Sequence, residues 1–579
     1  MGKGKKKSKV RQKQKKFQKS KSKTKSRQYS QKKASLPAKT PTKSTAYLVA
    51  IAQINTLVGD ISGKTKKIIA YMEQAKERGA QLVVFPELSI TGYPPKDLLF
   101  RQDFVDTNMQ KFIEIVSACK GIIAVFGFVN KENGVLYNAV ACVRDQKIIG
   151  IQNKSHLPVS DIYDEKRYFT EGSNADIIYA GNLRIGIIIA KHTEEETAIQ
   201  QLVAKGIDLL VCISAVPYSI EKNQEQYAML IAKKYQVPYV YCNCVGAQEN
   251  LVFEGASFVV DKNGLVSARL KKFGEELFLA DINKAGSSFI PSKDQTSEVY
   301  QAITLGIRDY FAKTGHAKAV IGISGGLDSS VTATLAVHAL GKENVIGIIL
   351  SSKITPKESL QDAKKICGNL GIVWKQVNID PIVLLYARAA GCSYDKKNIS
   401  FTEQNIQTRT RAALLMNYAN KNNALVLSAI NKTDLATGYF TIYGEATGAL
   451  APIADLWKTQ VYLLAGFINV LQKQKSKANF IPESIIKKQP SQELRLGQKD
   501  SDDLPSYDVL DKILQLYVVH KKDIHEIAKM KFDAELVRKI VFMVVKSEFK
   551  RQQMPMPLRI SSYSFGRSWQ YPVVSGWRG

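Results

Sequence analysis

The stretch AVIGISGGLDSSVTATLAVHALG (Ala319–Gly341) decides the fold. Its first residues, AVIGI, form a short β-branched run that reads as a buried strand. The chain then turns through SGGLDSS (Ser324–Ser330) into VTATLAVHALG, which reads as a helix. A turn of this kind lets an anion approach bare backbone N–H groups at Gly325 and Gly326. Hydroxyls of Ser324, Ser329 and Ser330 surround it, and the helix N-terminus adds partial positive charge. Asp328 supplies the hard oxygen that Mg²⁺ prefers beside a phosphate. The GK[ST] ending of a Walker loop is absent. By itself the stretch could equally be an ordinary glycine turn.

Its surroundings change the odds. VIGIIL, IVWKQVNI and ALVLSA are further candidate buried strands separated by helical stretches, a spacing that predicts a parallel sheet with right-handed crossovers. Ligands gather at the carboxyl ends of such strands. ALVLSA runs out into Asn431, Lys432 and Asp434, then GYFTIYGE with Glu445. FTEQNIQTRTR sets Asn405, Gln407, Arg409 and Arg411 on a helix. A solvated helix face would explain that last cluster almost as well, but the three clusters together point to a site.

Before this unit lies another α/β pattern. YLVAIAQI, a helical stretch near Lys64–Arg78, AQLVVFPEL, a second helical stretch and GIIAVFGFV alternate as strands and helices do. YNAVACVR, RIGIIIA, DLLVCIS, VPYVYCN and ASFVVD read as later strands. In RIGIIIAKHTEEE (Arg184–Glu196) a strand delivers side chains into a charged cluster, yet Ala190, Lys191, His192 and Thr193 include no obvious nucleophile. Asn283–Glu298, rich in Ser, Lys, Gly and Pro, reads as a linker.

At 579 residues two or more cores are expected. The net charge of +30 is concentrated: residues 1–44 hold 18 Lys or Arg and no acid, and read as a disordered basic arm. With only Phe17 and Tyr29 as aromatics it predicts weak, salt-sensitive, non-specific binding to RNA or another polyanion, or a solubilising tail. No apolar run is long enough to insert in a membrane and no signal-peptide core is present. Seven scattered cysteines without a CxxC pair suit the reducing cytoplasm.

SGGLDSS resembles the pyrophosphate-binding SGG-[IL]-DS loop of N-type ATP pyrophosphatases. Together with TEQNIQTRTR, NKTDLATGYFTIYGE, WKTQVY, QPSQELR, LPSYDVLD, SEFKRQQ and FGRSWQYP it looks like NAD⁺ synthetase. VVFPELSITGYPPKDLLF, KSHLP, YDEKRYF and VFEGASF resemble the nitrilase-like glutamine amidohydrolase domain fused to that synthetase. The resemblance runs from Tyr47 to the C-terminus and leaves out only the arm. It implies a nitrilase-like α-β-β-α sandwich over 45–284, a linker over 285–297, and a Rossmann-like parallel-sheet PP-loop domain over 298–579.

The resemblance also implies a reaction. ATP activates nicotinic acid adenine dinucleotide (deamido-NAD), and ammonia converts the product to NAD⁺, with Mg²⁺ assisting. By carry-over Ser324, Gly325, Gly326, Leu327, Asp328, Ser329, Ser330 and Ser428 bind ATP. Asn405, Arg409, Asp434, Tyr439, Glu445 and Lys550 bind deamido-NAD, Lys458 a phosphate, and Asp328 and Asp434 the metal. A homo-oligomer is implied, a synthetase-domain dimer or a larger ring.

In the other half Glu87 and Lys154 match two members of a Glu-Lys-Cys triad whose nucleophile position is Ala190. A methyl group forms no thioester, so covalent amide hydrolysis is expected to stop there. LPVSD puts Ser160 where the family has a pocket aromatic, and SAVPY puts Val216 where it has serine. The family's NK[ST]E is NKTD here and its YGD is YGE, which shortens Asp434 and lengthens Glu445 by one methylene. Four readings follow: an ammonia-dependent synthetase with a silent amidase; the same synthetase fed by a separate glutaminase or an unrecognised nucleophile; another adenylating enzyme acting on RNA; and a catalytically idle nucleotide-binding scaffold.

Overall fold

The computed structural model describes residues 46–159, 162–173, 176–189, 196–221, 224–287, 294–395, 397–475 and 479–577. The basic arm, Ser160 and Ala190–Thr193 lie outside the described residues.

The chain opens with strands β1 (Leu48–Gln53), β2 (Leu82–Val84), β3 (Ile123–Glu132), β4 (Val135–Arg144) and β5 (Lys147–Asn153). It continues through β6 (Ile177–Ala180), β7 (Leu183–Ile189), β8 (Leu209–Ser214) and β9 (Tyr239–Asn243), then the hairpin β10 (Val245–Gln248) and β11 (Leu251–Glu254). β12 (Phe258–Val260), β13 (Val266–Arg269) and β14 (Glu276–Asp281) complete this half. Two six-stranded sheets result, ordered β14-β1-β2-β3-β4-β5 and β13-β12-β9-β8-β7-β6.

Strand alternation explains the layering, because successive side chains leave a strand on opposite faces. Val49 and Ile51 of β1 join Val211 and Ile213 of β8 in the core between the sheets. Ala50 and Ala52 instead pack against helices α1 (Ile61–Glu77) and α2 (Gln102–Ala118). Leu210 and Cys212 face α3 (Glu196–Ala204) and α4 (Gln224–Tyr235). This is the α-β-β-α sandwich expected.

Helix α5 (Gln295–Lys313) begins inside the stretch read as linker, because the Asp294 carboxylate accepts from Ser297 N–H and caps it. The second unit has an all-parallel sheet of β15 (Lys318–Gly322), β16 (Val345–Ser351), β17 (Val373–Asn378) and β18 (Ala424–Val426), ordered β17-β16-β15-β18. One expectation is corrected here. IVWKQVNI is not a buried strand: β17 lies at the sheet edge, pairs only with β16, and leaves Val373 69 % exposed. Lys375 and Gln376 within the run suit that position.

The two halves share a core, in which Tyr218, Val245 and Val252 pack with Ala302, Ile303 and Phe311 of α5. Polar groups reinforce it. Lys313 Nζ donates to Asn55 Oδ1 (2.7 Å), Thr56 O (2.8 Å) and Ala247 O (2.6 Å), and Asp309 accepts from Asn55 Nδ2 and Ala247 N.

Candidate active site

β15 delivers the chain into the loop Ile323–Gly326, and helix α6 (Leu327–Leu340) leaves it. Gly325 has φ +78°, and a Cβ there would stand 2.2 Å from Ser359 O, so only glycine fits. The hydroxyls shape the loop: Ser324 Oγ accepts from Gly326 N (3.1 Å) and sits 3.0 Å from Ser329 Oγ. Ser330 is turned fully inside, its Oγ donating to Gly326 O at 2.8 Å. It braces the loop, and neither it nor Gly325 lines the adjoining cavity of about 310 Å³.

That cavity is lined by Ser324, Gly326, Leu327, Asp328 and Ser329 on one side. Ser428, Asp434, Tyr439, Glu445 and Lys458 face them, so most of the expected ATP set and part of the deamido-NAD set meet in one place. The electrostatics are unusual. Lys458 Nζ donates to Asp328 Oδ2. Burial alone would lower the Lys458 pKa, but Asp328 and Asp434 outweigh it and hold the ammonium charged. Burial pushes Asp434 well above the usual carboxylate range, Lys458 pulling it down and Asp328 pushing it further up. Asp500, which no motif singled out, is also raised by burial and accepts from Tyr507 OH at 2.7 Å.

Three carboxylates therefore surround one ammonium. Asp328 Oδ1 and Asp500 Oδ1 are buried and accept no hydrogen bond among the described residues. These hard oxygens are the donors Mg²⁺ takes. Among the described residues no group of three or more His, Cys, Asp or Glu could hold a metal by itself.

Asn405, Arg409 and Lys550 do not line this cavity. They bond instead to the segment Gly438–Glu445: Asn405 Oδ1 accepts from Thr441 Oγ1 (2.8 Å), Arg409 Nε donates to Ile442 O (3.2 Å), and Lys550 Nζ donates to Gly438 O and Phe440 O (both 2.7 Å). Asp434 and Glu445 keep different company. Asp434 sits with Lys458 and Asp328, whereas Glu445 accepts from Thr441 N (2.8 Å) and is raised by burial against the pull of Arg411 and Lys550. The two carboxylates thus fall at separate points of the cavity.

Arg411, named in the sequence as one of four polar residues on its helix, is the one of its pair with Arg409 that reaches the cavity. Lys488 and Glu493 also line it and pair at 2.8 Å. Lys432 turns inward instead. It is 1 % exposed, bound to Asp455 (2.7 Å) and Ser561 (2.9 Å), and holds the fold.

In the sandwich, Glu87 and Lys154 meet at 2.8 Å, both buried. Sequence reading missed their third partner, Glu165, which lies in YDEKRYF and stands 2.9 Å from Lys154 Nζ. Asn138 Nδ2 donates to Glu87 Oε1 (2.7 Å), Ala215 N to Glu87 Oε2 (3.0 Å), and Tyr93 OH to Glu165 Oε1 (2.9 Å). Burial would lower Lys154, but Glu165 and Glu87 raise it far above its ordinary value. Val216 is buried, its N–H donating to Asn243 Oδ1. Burial pushes the thiols of Cys242 and Cys244 well up, Glu87 adding to the effect at Cys244. Neither is an activated nucleophile. None of the seven cysteines forms a disulfide, and no described helix is long and apolar enough to cross a membrane.

Comparison with known proteins recovers both architectures. Residues 48–289 match the carbon-nitrogen hydrolase family and residues 299–554 the NAD synthase family, which makes the chain an ATP-dependent synthetase half joined to a hydrolase-type half. Among curated relatives, a glutamine-dependent NAD(+) synthetase of Acinetobacter baylyi is 35 % identical over 542 residues, covering 92 % of this chain and 99 % of that protein. One from Thermotoga maritima is 36 % identical, covering 91 % and 98 %. The solved structure of the Acinetobacter baumannii glutamine-dependent NAD⁺ synthetase in complex with ADP matches with TM-score 0.73 and 34 % identity over 92 % of this chain and 99 % of that one. The chain belongs to the glutamine-dependent NAD(+) synthetase family.

Proposed function

We propose that the chain forms NAD⁺ from deamido-NAD, ATP and ammonia, releasing AMP and pyrophosphate, and that the ammonia comes from outside the molecule. The observation that carries the reading is the cradle Ser324–Ser329, whose Asp328 meets Lys458, Asp434 and Asp500, with one oxygen each of Asp328 and Asp500 unpartnered among the described residues. The nicotinate carboxylate attacks the α-phosphorus of ATP and pyrophosphate leaves. Ammonia then displaces AMP from the acyl-adenylate.

The residues act by binding and charge placement. Backbone N–H groups around Gly326 and the N-terminus of α6 take the β- and γ-phosphates, and Lys458 swings from Asp328 onto the departing pyrophosphate. Asp328 Oδ1, with Asp434 or Asp500, would hold Mg²⁺, which when bound neutralises charge on the phosphates. Arg411, Tyr439 and Glu445 line the remaining wall for the dinucleotide, while Asn405, Arg409 and Lys550 position the Gly438–Glu445 segment.

The ammonia reading rests on Ala190 in the sequence and on the inert state of Cys242 and Cys244. The Glu87–Lys154–Glu165 network is then a buried ion cluster kept for packing. A second reading, glutamine use through an unrecognised nucleophile, draws on that intact network and on the glutamine dependence of the relatives. The test is NAD⁺ formation with ammonium or glutamine supplied separately. Product with ammonium alone supports external ammonia, product with glutamine supports the second reading, and no product with either leaves an idle scaffold. The arm binds polyanions weakly, and the chain works as a homo-oligomer in the cytoplasm.

A further inference from the structure

A second cavity, of about 670 Å³, shares no lining residue with the first. Its walls include Tyr517, Lys521, Tyr563, Arg567, Tyr571 and Trp577. It draws on FGRSWQYP, the C-terminal motif for which the proposed reaction has no use.

One wall is a rigid aromatic stack. Trp569 lies 4.2 Å from Tyr571 with ring planes 8° apart, and is itself pinned through Nε1 to Glu548 Oε2 at 2.7 Å. Trp577 is 66 % exposed and has no ring partner among the described residues, an apolar surface that a flat ligand would cover.

Charge adds a second requirement. Asp523 is spent as a helix cap, its carboxylate accepting from Glu526 N at 2.7 Å, and Lys522 reaches Glu526 at 3.6 Å. Lys521 and Arg567 have no carboxylate partner among the described residues, and Lys521 lies 5.4 Å over the Tyr563 ring. The cavity therefore presents aromatic faces with unneutralised cations beside them.

The backbone at this wall is irregular. The helix Tyr507–Leu514 passes into a π-helical turn over Gln515–Val519, which carries Tyr517, and Lys521 is held at φ +55°. π-Turns and left-handed non-glycine residues are costly and concentrate where a site needs side chains re-aimed.

We propose that this cavity binds a nucleoside phosphate, the base stacking on Trp577 and the Tyr571–Trp569 platform and the phosphate lying between Lys521 and Arg567. Stacking of this sort tolerates any base. The ligand is a free nucleotide or one unit of a single-stranded RNA.

The experiment titrates the full chain with uridine 5′-monophosphate and, separately, with single-stranded oligouridylate, following tryptophan fluorescence. A pyrimidine probe avoids competing for the adenine-nucleotide site proposed above. Saturable, salt-sensitive quenching is expected, weakened roughly five- to a hundredfold in Trp577→Ala, the range for one lost base–aromatic stack. It should weaken similarly in the Lys521→Ala/Arg567→Ala double variant, with NAD⁺ formation unchanged in both. Because every variant keeps residues 1–44, binding that survives these changes belongs to the arm and overturns the proposal, as does absence of binding. Quenching by the mononucleotide identifies a free-nucleotide site, and quenching by the oligomer alone identifies RNA. Failure of NAD⁺ synthesis in the unaltered chain bears on the proposed reaction and leaves this result untouched.

Discussion

Replacing Lys154 by methionine leaves two carboxylates facing one another in a dry interior. Lys154 Nζ lies 2.8 Å from Glu87 and 2.9 Å from Glu165, each side chain about 5 % exposed. At an effective dielectric of about 20, each contact is worth roughly 6 kcal/mol before the desolvation already spent is subtracted. The chain has a cheaper escape than holding both charges. A glutamate of ordinary pKa, about 4.3, takes up a proton at pH 7 for about 4 kcal/mol. Glu165, already raised by burial, takes it for less once Lys154 stops pulling it down. A loss of about 3–5 kcal/mol follows, as for other buried pairs stripped of one partner.

The sign of its pH dependence is fixed. In the variant the native carboxylate has a pKa above its unfolded value, so the native state binds the extra proton and the penalty shrinks as pH falls toward 5. Urea unfolding of the two proteins at pH 7.5 and at pH 5.5 measures this. A destabilisation by Lys154→Met below about 1 kcal/mol, or of equal size at both pH values, would refute the coupling drawn between Lys154 and its two carboxylates. If the cluster serves packing alone, the folded variant makes NAD⁺ from ammonium at an unchanged rate.

Three further outcomes are expected. Asp328→Asn removes the negative charge that holds Lys458 and replaces one carboxylate oxygen by an amide nitrogen, so kcat for NAD⁺ formation from ammonium should drop about 10²–10³-fold in a steady-state assay while the fold persists by circular dichroism. Gly325→Ala drives a methyl into Ser359 O and demands a left-handed backbone, so ATP binding measured calorimetrically should fall below detection, whereas Gly368→Ala, with nothing within 4 Å of its Cβ, should leave it unchanged. Burial lowers Lys64 to about 7, so between that value and 10.5 the unfolded chain binds more protons and stability rises with pH. Thermal melting should climb from pH 7 to pH 9, and Lys64→Met should flatten the climb.

The reach of the sequence differs from residue to residue. The sheet core of the synthetase half was legible because AVIGI and VIGIIL are continuous β-branched runs, and only a strand covered on both faces needs such a run. IVWKQVNI also read as a strand but carries Lys375 and Gln376 within it, and the sheet order places it at the edge. In the cradle, Gly325 and Gly326 announced a turn, but the division of labour among the serines depends on burial: Ser329 and Ser330 both donate to Gly326 O, and of the two Ser329 lines the cavity.

The chain by itself determined the two α/β halves and the anion loop with Asp328, because each is written in contiguous residues whose periodicity or spacing carries the chemistry, and its motifs resembled those of the family it belongs to. Only the tertiary structure joined Glu165 to Lys154, brought Asp500 and Arg411 to the cavity, and bonded Asn405, Arg409 and Lys550 to the Gly438–Glu445 segment. Those contacts link residues far apart in the chain. A carboxylate's role there is decided by burial and by the charge across the gap, and neither exists before the chain has folded.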